Sequence, residues 1–171
     1  MIKNDPVINV VFDGIVSPIK ILLEKDHLRA ALQLTFCGID AMAYLSLEDG
    51  REKSTRKDFV AWCDRYITFK NTVDTVSGLE LYASRSGLVH KYKTESNLSD
   101  EGKVRILEFF FGNGPDIIFT PQESERHVLV RIHGLVEAFF SGVNEFIVEV
   151  VSKYPERTER RLNTMLRMMY V

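Results

Sequence analysis

Leu28, Ala31, Leu32, Thr35, Ile39, Met42 and Ala43 recur with helical period through one uninterrupted stretch, which predicts a helix over 28–47 with a single apolar face. Such a face is stable in water only when buried against other apolar elements, so the chain must fold as packed helices or as helices on a sheet. Asp26 is a candidate N-cap for this helix, and Gly50 ends the turn that follows it.

The flanking sequence supplies the partners. Val10, Val11, Ile15, Ile19, Leu22 and Leu23 fall near helical spacing, with Pro18 either splitting that segment or sitting in the first turn of a helix. Residues 48–55 are polar and charged and read as a loop. After them Phe59, Trp62, Tyr66 and Phe69 repeat at three and four residues, the pattern of a core-facing helix rather than of a base-stacking platform. Ser77 and Glu80 stand at capping-box spacing, so a fourth helix opens at Gly78 and carries Leu79, Leu81, Tyr82, Ala83, Leu88 and Val89. Residues 97–102 form a turn-rich break. The β-branched and aromatic stretches 104–111 and 117–120, separated by Gly112-Asn113-Gly114-Pro115, predict a small hairpin. A run rich in Val, Leu, Phe and Ile over 124–151 has the length and period of the longest helix, closed by Pro155. Leu162, Met165, Leu166 and Met169 form an apolar stripe opposite Arg157, Arg160, Arg161 and Arg167 on a short terminal helix. The expected fold is mainly α, a helical bundle with a small β-hairpin inserted near residues 104–120.

With 171 residues, 45% of them hydrophobic, the chain can bury one sizeable core, and a single domain over 1–171 is expected. Its 22 basic and 24 acidic residues leave a net charge of -2, so any surface for nucleic acid must be local. Cys37 and Cys63 have no CxxC partner, which argues against a disulfide framework or zinc site and fits a cytoplasmic setting. Asp5, Asp13 and Pro18 interrupt the first 23 residues, and the apolar runs fall short of the roughly 20 residues a membrane helix needs. Neither a signal peptide nor a membrane association is expected.

The segment suggesting chemistry is Arg85-Ser86-Gly87-Leu88-Val89-His90, with Tyr92 two residues further on. A permanently charged guanidinium beside an imidazole that titrates near neutral pH is the minimal equipment for phosphodiester cleavage without a metal or other cofactor. On one straight helix a five-residue separation leaves two side chains roughly 140° apart around the axis and about 7.5 Å apart along it. Either the helix bends or ends at Gly87, or a twofold dimer brings two copies of the motif face to face.

This pattern resembles the HEPN superfamily, small helical proteins marked by an Arg, four to six intervening residues and a His. Arg85, four residues and His90 match that mark, and His90-Lys91-Tyr92 resembles the extended form found in HEPN toxins that pair with nucleotidyltransferase antitoxins. Ser86 stands where many members carry a polar amide, and the resemblance covers the bundle from about 27 to 151. It implies a homodimeric, metal-independent endoribonuclease. The 2′-hydroxyl of a single-stranded RNA would attack the adjacent phosphate, His90 would take the proton, and Arg85 would stabilise charge on the phosphoryl oxygens. Tyr92 would stack on a base, bind a phosphate or receive a nucleotide from an antitoxin-like partner. Ser86, Lys91, Tyr92 and Lys93 are the candidate substrate-binding residues; the acid-free run from Arg85 to Lys93 suits a phosphate backbone.

Blander readings stand beside these. Arg85 suits a surface ion pair with Glu80, Glu95 or Glu108. Asp40, in an otherwise apolar stretch, could orient Arg85 or His90 or simply pair structurally. Arg51, Lys53, Arg56 and Lys57, and the four C-terminal arginines, are diluted by acids and read as solvated faces. His127 and His133 flank Arg131 in the expected long helix, on different faces and without a completing ligand set. Phe109-Phe110-Phe111 cannot place all three rings on one strand face, which suggests a dimer contact. Three function classes follow: an RNA-cleaving enzyme, a non-catalytic module binding RNA or nucleotide, and a protein-interaction scaffold.

Overall fold

The computed structural model describes residues 5–70, 72, 74–91, 93, 95–119 and 127–165. Among them, helices dominate: a π-helical segment Ile8–Val16, then α1 (Ser17–Glu24), α2 (Leu28–Leu45), α3 (Arg56–Tyr66), α4 (Gly78–Lys91), α5 (Asn97–Asp100), α6 (Ile132–Lys153) and α7 (Pro155–Thr164). Three strands, β1 (Ile106–Phe110), β2 (Ile117–Phe119) and β3 (His127–Arg131), form one small sheet. No helix among the described residues is long and apolar enough to cross a membrane.

Pro18 lies in the first turn of α1, where its missing N–H costs no hydrogen bond, and the wider winding before it directs the Ser17 N–H onto the Phe12 carbonyl. Asp26 does not open α2. It adopts a left-handed φ of 57° and closes α1 instead, its N–H on Leu23 O at 3.0 Å and the His27 N–H on Leu22 O at 2.8 Å. That paired closure satisfies the last carbonyls of α1, and Asp is among the few residues that tolerate its backbone.

The apolar face of α2 is buried from Ala31 to Leu45 and packs against α1, α3 and α6. Gly38 admits the closest approach. A Cβ there would lie 2.6 Å from Phe139 of α6 and 2.9 Å from Ile15. Trp62 and Tyr66 of α3 interlock with Phe139 and Phe146 of α6 at ring-centroid distances of 5.3–6.1 Å, so the aromatic repeat is core. Asp58 starts α3 from within, its carboxylate accepting the Thr55 N–H at 2.7 Å while Arg51 holds it in a two-pronged pair.

The expected hairpin does not form. β1 and β2 do not pair with each other; both flank β3, β1 parallel to it and β2 antiparallel, in the order β1-β3-β2. The third strand was hidden because Arg131 is both the last residue of β3 and the N-cap of α6, so strand and helix form one apolar run without a loop. The longest helix therefore begins at Ile132 rather than near 124, and His127 and Arg131 lie on a strand, with His133 alone of the three on the helix. Asp116, 2% exposed, locks this junction: its carbonyl accepts the Arg131 N–H at 2.8 Å and its carboxylate the Arg131 guanidinium.

Pro155 separates α6 from α7 and occupies the first turn of α7. Arg161 is not on a solvated basic face as its sequence neighbourhood suggested. It is buried and donates to the carbonyls of Leu47 (3.1 Å), Glu48 (2.5 Å) and Arg51 (3.0 Å), fastening α7 to the loop after α2. Leu166, Arg167 and Met169 lie outside the described residues.

Candidate functional site

The site is built on α4, and the local sequence explains why α4 begins where it does. Glu80 accepts hydrogen bonds from the Ser77 N–H (2.8 Å) and hydroxyl (2.9 Å), and the Gly78 N–H donates to Asp64 of α3 at 2.6 Å. Arg105, arriving just before β1, completes the arrangement at 2.5 Å from Glu80. Burial would push the Glu80 carboxyl up, but the Arg105 guanidinium and the Ser77 donors outweigh it and hold the group below the usual carboxylate range.

The helix then runs from Gly78 to Lys91, so it does not end at Gly87. Gly87 has another task. A Cβ there would sit 2.5 Å from the Glu95 carbonyl oxygen and 2.6 Å from that of Lys93, and the Lys93 N–H donates back to Gly87 O at 3.2 Å. The glycine makes room for the returning chain to lie on the helix.

Leu81, Ala83, Ser84 and Gly87 are buried, while Tyr82, Arg85, Ser86 and Val89 lie on the outward arc. At about 100° per residue, Arg85 lies at one edge of that arc, and position 90 follows about 140° further around the axis from it. The side chains of His90 and Lys91, and the whole of Tyr92, lie outside the described residues. Lys93 is exposed.

Arg85 does not pair with Glu80, Glu95 or Glu108. Glu80 holds Arg105, Glu108 meets His127 Nδ1 at 2.7 Å, and Arg85 donates from Nε to Asp40 Oδ2 at 2.8 Å, with Nη2 2.7 Å from the same oxygen. This ion pair joins α4 to α2 at the solvent boundary, with the two side chains 21% and 32% exposed. Cys37 lies one turn before Asp40. Cys37 is exposed, but partial desolvation by the surrounding chain, followed by the Asp40 carboxylate, pushes its thiol above the ordinary range despite the opposing pull of Arg85, which disfavours the nucleophilic thiolate.

The opposite flank borders a cleft of about 460 Å³ between α3, α4 and α5. Tyr82 and Ser86, one turn apart, form its α4 wall; Arg56 stands at the start of α3, and Leu98, Glu101 and Lys103 face them from α5 and the segment beyond. Position 90 follows Ser86 by one further turn. Arg56, Tyr82 and Lys103 were not singled out as site residues by sequence reasoning. The available signal was the i, i+4, i+8 series Tyr82, Ser86, His90. Of Phe109, Phe110 and Phe111, the first packs edge-on against Phe36 at 6.1 Å and only Phe111 is largely exposed.

Comparison with protein-family models, curated proteins and solved structures finds no match to this chain.

Proposed function

We propose that this chain is a metal-independent endoribonuclease of the HEPN type whose catalytic unit is a twofold dimer. The observation that carries the reading is a continuous α4 that keeps Arg85, on the outward arc, and position 90 about 140° apart around one axis. A single helix holds the two roughly 140° apart, too far for both to serve one phosphate, whereas two parallel α4 helices related by a twofold axis running along them set the Arg85 flank of one copy against the His90 flank of the other. Val89, exposed on the arc between them, is apolar surface suited to that contact.

In this reading His90 withdraws the proton of the RNA 2′-hydroxyl, the oxygen attacks the adjacent phosphorus, and the bond to the 5′-oxygen breaks. The products are a 2′,3′-cyclic phosphate and a 5′-hydroxyl, the latter taking up one proton. Arg85, preset by Asp40, neutralises the charge that builds on the phosphoryl oxygens. Ser86, Lys91, Tyr92 and Lys93 contact the strand.

The test is cleavage of mixed single-stranded RNA in EDTA by wild type, Arg85→Ala and His90→Ala. Cutting to cyclic-phosphate ends that both substitutions reduce at least 100-fold is the expected result; a wild type that cuts nothing overturns it. The Asp40 pair favours one second reading. A guanidinium already committed to a carboxylate suits a non-catalytic module that binds RNA or nucleotide, for which salt-sensitive binding without turnover is expected.

A further inference from the structure

We propose that the cleft between α3, α4 and α5 binds one ribonucleoside phosphate. Its volume of about 460 Å³ lies within the range of roughly 300–1,000 Å³ in which small-molecule sites fall, and its walls combine the parts such a ligand requires. Arg56 is an exposed guanidinium with no ion-pair partner among the described residues, free to take a phosphate in a two-pronged contact. Lys103 adds a second cation on the far wall and is 2.6 Å from Glu101. That pair is exposed on both sides, so it exchanges readily: the ammonium turns to phosphate and the carboxylate accepts from ribose hydroxyls, the role an acidic residue plays in dinucleotide sites.

Tyr82 supplies the platform for the base. Its ring is half-buried and braced edge-to-face on Phe59 of α3, with centroids 5.5 Å apart and planes at 73°, which holds it in place for stacking. Leu98 gives an apolar surface on the α5 side, and Ser86 a hydroxyl one turn along from the ring. The ligand is therefore recognised by a stacked base, a ribose and a phosphate together. The series Tyr82, Ser86, His90 then runs from this cleft toward the motif; only this last link rests on the ribonuclease reading, and it makes the bound unit the nucleotide next to the cleaved bond.

Two sources share this chemistry: a free nucleotide and one residue of an RNA strand. Equilibrium titrations of the full chain with the four ribonucleoside 5′-monophosphates and with inorganic phosphate, and of His90→Ala with a short single-stranded RNA, separate them. At least one of these nucleotide probes is expected to bind, about tenfold more weakly to Arg56→Glu, with affinity largely recovered in Arg56→Lys. Tyr82→Leu weakens nucleotide binding while leaving inorganic phosphate unchanged. Monophosphates that bind as tightly as the strand identify a free nucleotide as the ligand; binding of the strand alone identifies a strand subsite. Equal affinity of wild type and Arg56→Glu for every probe, or no binding of any nucleotide probe, overturns the proposal. Arg56 is exposed and opens α3, where an acidic residue is favoured by the helix dipole, so Arg56→Glu keeps the fold and its melting curve verifies this. Arg56-dependent binding without RNA cleavage sustains the cleft and removes the nuclease; cleavage with Arg56-independent binding does the reverse.

Discussion

Asp40 reaches Arg85 from another helix, and the geometry gives the pair a measurable value. Both side chains are partly exposed, so water screens the attraction and the coupling is modest. A double-mutant cycle of Asp40→Ala and Arg85→Ala in urea unfolding is expected to return about 1 kcal/mol; a coupling near zero would mean that the pair positions nothing. Glu80 behaves differently because it is buried. Its carboxyl is held below the ordinary range in the folded protein, so its contribution is full above the unfolded value, about 4.3, and is lost as pH falls through the lower folded one. Wild type should therefore lose stability on going from pH 5 to pH 3, and Glu80→Gln should flatten that part of the profile while costing about 1–3 kcal/mol at pH 7. Urea midpoints at both pH values decide it, and parallel slopes for the two proteins would refute it.

Helix α4 depends on a residue with no side chain. Gly87→Ala would drive a methyl group into the carbonyls of Lys93 and Glu95, so it should destabilise by about 1–3 kcal/mol although Ala is the better helix former. Thermal unfolding tests this, and a stabilised variant would show that the returning chain moves aside cheaply. The same glycine shows where sequence reading reached its limit. The Ser77–Glu80 cap, the α2 stripe and the α3 aromatics were readable because they depend on spacing within one element. What Gly87 accommodates comes from a segment that spacing cannot place, and its propensity alone suggested a bend. β3 was unreadable for a related reason: five strand residues joined without a loop to 22 helical ones look like one long apolar helix. Asp26 was misassigned because Asp suits both ends of a connection. At the candidate site, the Arg85 and His90 spacing was readable, but the cleft was not, since Arg56, Tyr82 and Lys103 meet only through tertiary packing.

For the whole molecule, the dimer reading makes a quantitative demand. Mixing equal amounts of Arg85→Ala and His90→Ala, with subunit exchange, leaves one intact composite site in half of the dimers, so about a quarter of wild-type cleavage should return. No recovery, with exchange verified, would place both groups of a site in one chain. Arg161 ties α7 to the loop after α2 through three carbonyls, of which that of Glu48 also accepts the Arg51 N–H, so Arg161→Met is expected to cost about 2–3 kcal/mol and to speed amide exchange throughout α7. The strand order β1-β3-β2 reaches further still, into biosynthesis. A ribosome delivers the two outer strands first and the central one last, and the outer pair cannot join each other in this sheet. Until residue 131 has cleared the exit tunnel, two β-rich segments have bare edges while α2, α3 and α4 can already pack. A nascent chain stalled in that interval would be the species most prone to stick to its neighbours and the one most in need of a chaperone.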